Sequence, residues 1–264
     1  MVMEFSVLMS VYYKEKPEYL RQALESVLSQ TCLPSQLILV KDGPLTPQLD
    51  AVIEEFSAGS PLFKIIALEK NSGLGTALAK GVEASDYSLI ARMDADDIAL
   101  PHRFAEQIKL FQQNPDLSIC GAQISEFDGD VTNILSKRVV PLTHEEILAY
   151  ARRRNPFNHM TVMYKKEAVL RVGNYQHCPD FEDYYLWSRM LAQGAIAANH
   201  PDVLVYARTG TAMFRRRGGM RYCKNALSFR RLQRKTGLTS LFDQWYASCA
   251  HIAVSLMPGS LRGR

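Results

Sequence analysis

Residues 87–97 read Tyr-Ser-Leu-Ile-Ala-Arg-Met-Asp-Ala-Asp-Asp. The run Tyr87 to Met93 has the length and composition of a strand, and it passes directly into Asp94, Asp96 and Asp97. Carboxylates gathered after a hydrophobic strand repel one another and must be solvated, hydrogen-bonded or neutralised by a metal. Hard divalent cations such as Mg²⁺ or Mn²⁺ take oxygen ligands and commonly join one or two carboxylates to substrate phosphates. The other reading is an acidic turn, with Asp97 capping a helix that starts near Pro101. The motif alone does not choose between them.

Upstream, Phe5 to Val11, Leu37 to Val40 and Lys64 to Leu68 are three more strand-like runs. Helix-period segments alternate with them. After Pro17, which suits a helix start, Leu20, Ala23, Leu24, Val27 and Leu28 recur on one face, and Gly73 to Ala84 forms another such segment. This alternation predicts an α/β fold with a mostly parallel central sheet flanked by helices. Polar residues collect after the strands: Tyr12 and Tyr13, Asp42, Asn71, then Asp94 and Asp96. Open parallel sheets bind ligands beyond the carboxyl ends of their strands, so the pattern places a site there.

The second half is less regular. Leu117 to Phe127, Thr161 to Tyr164 and Val203 to Tyr206 read as strands, and Glu145 to Arg154 and Phe181 to Gln193 as helices. From Gly218 onward the pattern predicts a C-terminal helical extension of two helices broken near Gly237.

The 264 residues, 47% hydrophobic and 22% charged, are enough for one large domain with a real core. Five scattered cysteines (Cys32, Cys120, Cys178, Cys223 and Cys249) form no CxxC pair, which argues against a disulfide framework or zinc ribbon and suits a reducing, cytoplasmic setting. Met1 to Tyr13 is apolar but carries Glu4 and lacks a basic leader, so it reads as a first strand and not a signal peptide. No stretch has the length and apolarity of a membrane-spanning helix. The net charge of +4 is too modest to argue for nucleic acid.

Asn71-Ser72-Gly73-Leu74-Gly75 is a glycine-rich turn opening a helix, where backbone can approach an anionic ligand. It follows the third strand and lacks full GxGxxG spacing, so it does not read as a dinucleotide fingerprint. Asp42 could accept a hydrogen bond from the imide of a uracil base, or cap the turn at Gly43-Pro44.

Five ordered segments carry a resemblance. They are Ser6 to Tyr13, Leu24-Glu25-Ser26-Val27-Leu28-Ser29-Gln30-Thr31, Lys41-Asp42-Gly43, Asn71 to Gly75, and Arg92-Met93-Asp94-Ala95-Asp96-Asp97. Together they resemble glycosyltransferase family 2, which has the GT-A fold and whose inverting enzymes use nucleotide-sugars. Leu100-Pro101-His102-Arg103-Phe104 and Asn155-Pro156-Phe157-Asn158-His159 extend it toward the branch of amylovoran, colanic-acid and O-antigen transferases. The QxxRW motif of processive members is absent. Tyr206-Ala207-Arg208-Thr209-Gly210 stands in its neighbourhood, so a single sugar transfer is expected.

The resemblance implies roles for particular positions. Ser10, Val11 and Tyr12 would line the nucleotide pocket, Asp42 would read the base, and Asn71 and Gly73 would border the nucleotide. Asp94 would contact the ribose or the metal shell, and Asp96 would hold Mn²⁺ or Mg²⁺ on the diphosphate. Glu182-Asp183 resembles the family's late acidic pair. Asp183 shares a helix face with Leu186, Trp187, Met190 and Leu191 and so points inward, which makes it the expected base, with Glu182 as the fallback. An exposed first helical turn is the competing reading. His159 could bind diphosphate or acceptor, or be a packed structural histidine. Arg103 could support the acidic loop or lie on a helix surface.

Arg215-Arg216-Arg217, Arg221, Lys224, Arg230, Arg231, Arg234 and Lys235 precede an aromatic and aliphatic stretch around Leu241, Phe242, Trp245 and Tyr246. Basic amphipathic helices of this kind can lie in a membrane interface or pack on a neighbouring domain. These readings divide the chain into a GT-A catalytic domain at 1–212, with a nucleotide-sugar half at about 1–100 and an acceptor half at about 101–212, and a basic extension at 213–264. They predict transfer of a hexose, galactose before glucose, from a UDP-sugar to an undecaprenyl-diphosphate-linked sugar such as N-acetylglucosamine. The setting would be O-antigen or exopolysaccharide synthesis at the cytoplasmic face of the inner membrane. The rivals are a sugar nucleotidyltransferase and a catalytically inactive membrane-associated scaffold.

Overall fold

A computed structural model describes residues 3–209 and 219–256. The first part of the chain runs β1 (Ser6–Val11), α1 (Pro17–Leu28), β2 (Gln36–Lys41), α2 (Pro47–Ser57), β3 (Phe63–Ala67), α3 (Leu74–Ala84) and β4 (Leu89–Asp94). There follow β5 (Ile98–Ala99), α4 (Arg103–Gln113), β6 (Leu117–Phe127), β7 (Ile134–Arg138), α5 (His144–Ala151), a 3₁₀ turn at His159–Thr161, and β8 (Met163–Lys165). The chain continues through α6 (Lys166–Arg171), α7 (Glu182–Ala192), β9 (Ile196–Arg208), α8 (Gly219–Lys235) and α9 (Leu241–Leu256).

One sheet has the order β3-β2-β1-β4-β8-β6-β9-β5, with β7 added on β6. Its first four strands are parallel. Beyond β4 it is mixed: β8 is antiparallel to β4 and β6, whereas β9 runs parallel to β6. The fully parallel part is thus β1 to β4.

Strand alternation sorts the core into two layers. Val7, Met9 and Val11 of β1, Leu37 and Leu39 of β2, and Leu89, Ala91 and Met93 of β4 pack toward α1, α2 and α4. Leu8, Ile38, Val40 and Ile90 face the other way, with α3, α5 and α7. The even positions of β4 continue on that second face as Arg92 and Asp94. That period-2 step turns a charged pair toward the α3–α7 side of the sheet.

Sequence periodicity missed α2, although Thr46 caps it through a bond from the Leu49 amide at 3.3 Å and Leu49, Val52 and Ile53 are buried. The short β5, β7 and α6 were missed as well, because two- to six-residue elements carry too little pattern. Asp97 does not cap α4: the position before that helix is His102, with no side-chain cap.

The turn after β2 requires glycine. Gly43 has φ +86°, and a Cβ there would lie 2.5 Å from the Asn71 amide nitrogen. Gly59 has φ +69° with open space around it. Gly59→Ala is therefore expected to cost about 1–2 kcal/mol, and Gly43→Ala at least about 3 kcal/mol, because backbone must move as well. Denaturant melts of the two variants measure the difference, and equal losses would show that the Gly43 contact is relaxed at no cost.

The boundary drawn at 212/213 and the cluster Arg215-Arg216-Arg217 lie outside the described residues. What is described of the extension is docked. Ala226 and Phe229 of α8 are buried against Phe181 and Tyr184, with Phe181 and Phe229 stacked at 4.8 Å. Arg230, 1% exposed, donates to the Arg153 carbonyl at 2.6 Å. Arg221, Lys224, Arg231, Arg234 and Lys235 are exposed on α8, and Leu241, Phe242, Trp245 and Tyr246 on α9. Among the described residues no helix is long and apolar enough to cross a membrane.

Candidate active site

The acidic turn spans the gap between β4 and β5. Because β5 pairs with β9 through Ile98–Tyr206 and Ala99–Val205, the end of β9 is drawn over the carboxylates. Arg208 closes the turn. Its amide donates to Asp97 Oδ1 at 2.7 Å, and its guanidinium donates to the Asp96 carbonyl at 3.0 Å and to Gln22 Oε1 at 2.6 Å. The guanidinium also sits 3.9 Å over the Tyr19 ring.

Oxygens of Asp94, Asp96 and Asp97 all lie within 4.8 Å of one another. Asp97 is 2% exposed and its Oδ2 has no hydrogen-bond partner among the described residues. Burial and the neighbouring charges of Asp94 and Glu15 push Asp96 up to about 7. Burial, then Asp96 and Asp94, push Asp97 well above the usual carboxylate range. Arg92 lies beneath, 2% exposed, and is ion-paired to Asp94. Converging carboxylates with one orphaned buried oxygen and raised proton affinity make a hard oxygen-donor set suited to a divalent cation.

The glycine-rich turn is held to β2 by Asp42. Its two carboxylate oxygens accept the amides of Ser72 at 2.7 Å and Gly73 at 3.1 Å, and its carbonyl accepts Asn71 Nδ2 at 3.2 Å. Asp42 is thus buried and engaged in the turn. Ser10 pairs in register with Asp94 across β1 and β4, which brings the end of β1 against the acidic turn. Tyr12 is half-buried beside it, whereas the Val11 side chain is 1% exposed and leaves only main chain at this edge.

Arg103 requires a correction. Counted with the substrate-binding residues, and read either as a support of the acidic loop or as a helix-surface charge, it is 0% exposed and donates to the Arg92 carbonyl at 2.6 Å and to Gln107 Oε1 at 3.1 Å. Its helix N-terminus packs under β4, so it braces the strand that carries the acidic turn.

Asp183 and His159 line one cavity of about 380 Å³, together with Arg138, Asn155, Tyr184 and Arg230. Asp183 Oδ2 accepts Asn155 Nδ2 at 2.7 Å. Burial raises the Asp183 pKa, with the Asn155 bond and the charges of Arg138 and Arg92 pulling it back. His159 bonds the Tyr175 hydroxyl at 3.0 Å and meets the Trp187 ring edge-on. Burial, with Arg92 nearby, drops its pKa well below 6.5 and keeps it neutral. Glu182 turns elsewhere. Its Cγ lies 2.9 Å from where a Gly75 Cβ would be, so α7 meets the opening turn of α3 there. Burial and then Asp183 and Asp180 raise Glu182 to about 7.

Sequence reasoning singled out neither Glu15, Arg92, Asn155 nor Arg208. A charge inside an apolar run signalled Arg92. The others act through distant contacts, such as Asn155 to Asp183 at 28 positions and Arg208 to Gln22 at 186, which no local pattern reveals.

A sheet of this order, with an acidic cluster at the end of β4 and a separate carboxylate in a cavity lined by α7, has the architecture of a GT-A sugar transferase. The family model of glycosyl transferase family 2 matches residues 6–178. The chain belongs to that family. It is 44% identical over 229 residues to amylovoran biosynthesis glycosyltransferase AmsE of Erwinia amylovora, covering 87% of this chain and 85% of that one. It is 35% identical over 263 residues to the UDP-Gal:alpha-D-GlcNAc-diphosphoundecaprenol beta-1,3-galactosyltransferase of Escherichia coli, covering 98% and 94%. Two solved structures share the fold. S. aureus TarS has TM-score 0.67 at 17% identity, over 96% of this chain but only 43% of its own. The mannosyltransferase PcManGT from Pyrobaculum calidifontis, in complex with GDP-Man and Mn²⁺, has TM-score 0.66 at 14% identity, over 97% and 77%.

Proposed function

We propose that the chain transfers one hexose, galactose before glucose, from a UDP-sugar to an undecaprenyl-diphosphate-linked sugar, with N-acetylglucosamine the first acceptor to test, and that the anomeric centre inverts. The setting is O-antigen or exopolysaccharide synthesis, with the enzyme peripheral to the cytoplasmic face of the inner membrane. The observation that carries the reading is the pairing of the acidic turn with a second carboxylate, Asp183, held by Asn155 in its own cavity. The Erwinia and E. coli relatives support the setting, the donor and the acceptor class. Family membership leaves the nucleotidyltransferase alternative without support.

In this reading Ser10, Tyr12 and the Asn71–Gly73 turn border the nucleotide, and Asp42 orders that turn against the base. Asp94 and Asp96, with Asp97 behind them, would hold Mn²⁺ or Mg²⁺. Bound there, the cation supplies positive charge against the leaving diphosphate. Asp183 accepts the proton of the attacking hydroxyl, and its raised pKa strengthens it as a base. His159, held neutral, orders that pocket through Tyr175. A single displacement opposite the leaving group converts an α-linked donor into a β-linked product.

The test is a panel of nucleotide-sugars with Mn²⁺ and lipid-diphosphate N-acetylglucosamine, followed by mass spectrometry and NMR of the new linkage. One added hexose in β linkage is expected. Retention of configuration would sink the mechanism, and transfer that survives chelation would sink the metal.

Proton release sets a pH dependence. Asp96 must ionise to bind a cation, and its pKa without metal is about 7. Mn²⁺ affinity is therefore expected to fall about tenfold per pH unit below 7 and to level off above it. Calorimetric titration between pH 5.5 and 8.5 measures this, and a flat profile would contradict the raised pKa.

A further inference from the structure

A second, larger cleft of about 890 Å³ lies between the segment joining β7 to α5 and the face of α9. Its walls are largely apolar: Val140 and Leu142 on one side, Tyr246, Ala247 and Ala250 on the other. Tyr150, Arg153 and Arg154 line both this cleft and the cavity that holds Asp183, so the two spaces meet at a cationic neck. Arg153 is partly occupied, with Nε 3.2 Å from Asp243 Oδ1 and its guanidinium over the Tyr246 ring at 4.7 Å. Arg154 is exposed and has no carboxylate partner among the described residues. Outside the cleft, α9 presents Leu241, Phe242 and Trp245 to solvent, each at least 60% exposed.

The sequence of environments along this path is apolar, then cationic, then the pocket of a carboxylate base. An acceptor built as hydrocarbon, diphosphate and sugar has the same order. Guanidinium groups match phosphate oxygens in charge and geometry. A cleft of several hundred Å³ with apolar walls is of the size that buries a ligand, and an exposed aromatic face beside its mouth fits a membrane interface, where the hydrocarbon resides. We propose that this cleft seats the first isoprene units of a lipid-diphosphate acceptor, that Arg153 and Arg154 hold its diphosphate, and that the neck thereby delivers the acceptor sugar to Asp183. The inference rests on the acceptor class proposed above and adds the surface that recognises it.

The experiment compares two acceptors with the same N-acetylglucosamine-diphosphate headgroup, one on a farnesyl chain and one on a methyl group, using the full chain with its best donor. The wild type is expected to favour the farnesyl acceptor at least thirtyfold in kcat/KM, with the difference in KM. Ala250→Trp, which fills the cleft from α9, should reduce that preference below fivefold. Leu142→Asp, from the opposite wall, does the same independently should the first variant fail to fold. Arg154→Glu should raise KM at least tenfold for both acceptors with kcat within threefold. A wild type without chain preference, or a preference intact in both cleft variants, overturns the inference while leaving the acceptor class standing. If neither diphosphate acceptor receives sugar although the donor binds, the acceptor class fails first and takes this inference with it.

Discussion

Asp96→Ala is expected to cut sugar transfer at least a thousandfold and to abolish saturable Mn²⁺ binding. Asp96 is the central carboxylate of three whose oxygens lie within 4.8 Å, and its pKa of about 7 reports how poorly the site tolerates negative charge without a cation. A thousandfold loss corresponds to about 4 kcal/mol of transition-state stabilisation, within reach of one cation opposing charge on a leaving diphosphate. The same substitution should act in the opposite sense on the metal-free fold. A carboxyl whose folded pKa is about 7, against an unfolded 3.8, destabilises the fold as pH rises through that window, fully so above 7. Metal-free Asp96→Ala should therefore melt above wild type at pH 8, with the gap closing toward pH 4. Transfer above a tenth of wild type would remove Asp96 from the machinery and revive the inactive-scaffold reading.

The second large effect is at Asp183. Asp183→Asn should lower kcat by about 10²–10⁴, the contribution expected of a positioned general base, with donor affinity unchanged. The amide keeps the shape and a contact to Asn155, so packing is preserved while the proton acceptor is lost. Glu182→Gln should cost less than tenfold in kcat, because Glu182 abuts the α3 turn at Gly75 instead of lining the Asp183 cavity. The reverse ranking would exchange the two roles. The acid limb of the kcat/KM profile distinguishes them too: a Glu182 base would place it at about 7.

Much of this was legible along the chain. The parallel β1–β4 core declared itself because its strands are short, mainly apolar runs and each intervening helix except α2 was read from its 3.6-residue period. That alternation forces the strand ends, and hence Ser10, Asp42, Asn71, Asp94 and Asp96, to one edge of the sheet. The inward direction of Asp183 followed from its spacing to Leu186, Trp187 and Met190. These are short-range consequences of periodicity, which a sequence states openly.

Other features depend on which distant elements meet. Asp97 looked like a helix cap until β5 paired with β9 and placed the Arg208 amide on it. Arg103 read as a support of the acidic loop or as a helix-surface charge, and only the packing of α4 under β4 left it fully buried against the Arg92 carbonyl. The Asn155 bond to Asp183, and the meeting of two cavities at Arg153 and Arg154, join α7, α9 and the segment around α5. Local spacing encodes which face of an element is apolar, but not which partner that face selects. Charge burial, pKa and cavity shape are properties of the partner, and they exist once the chain has closed on itself.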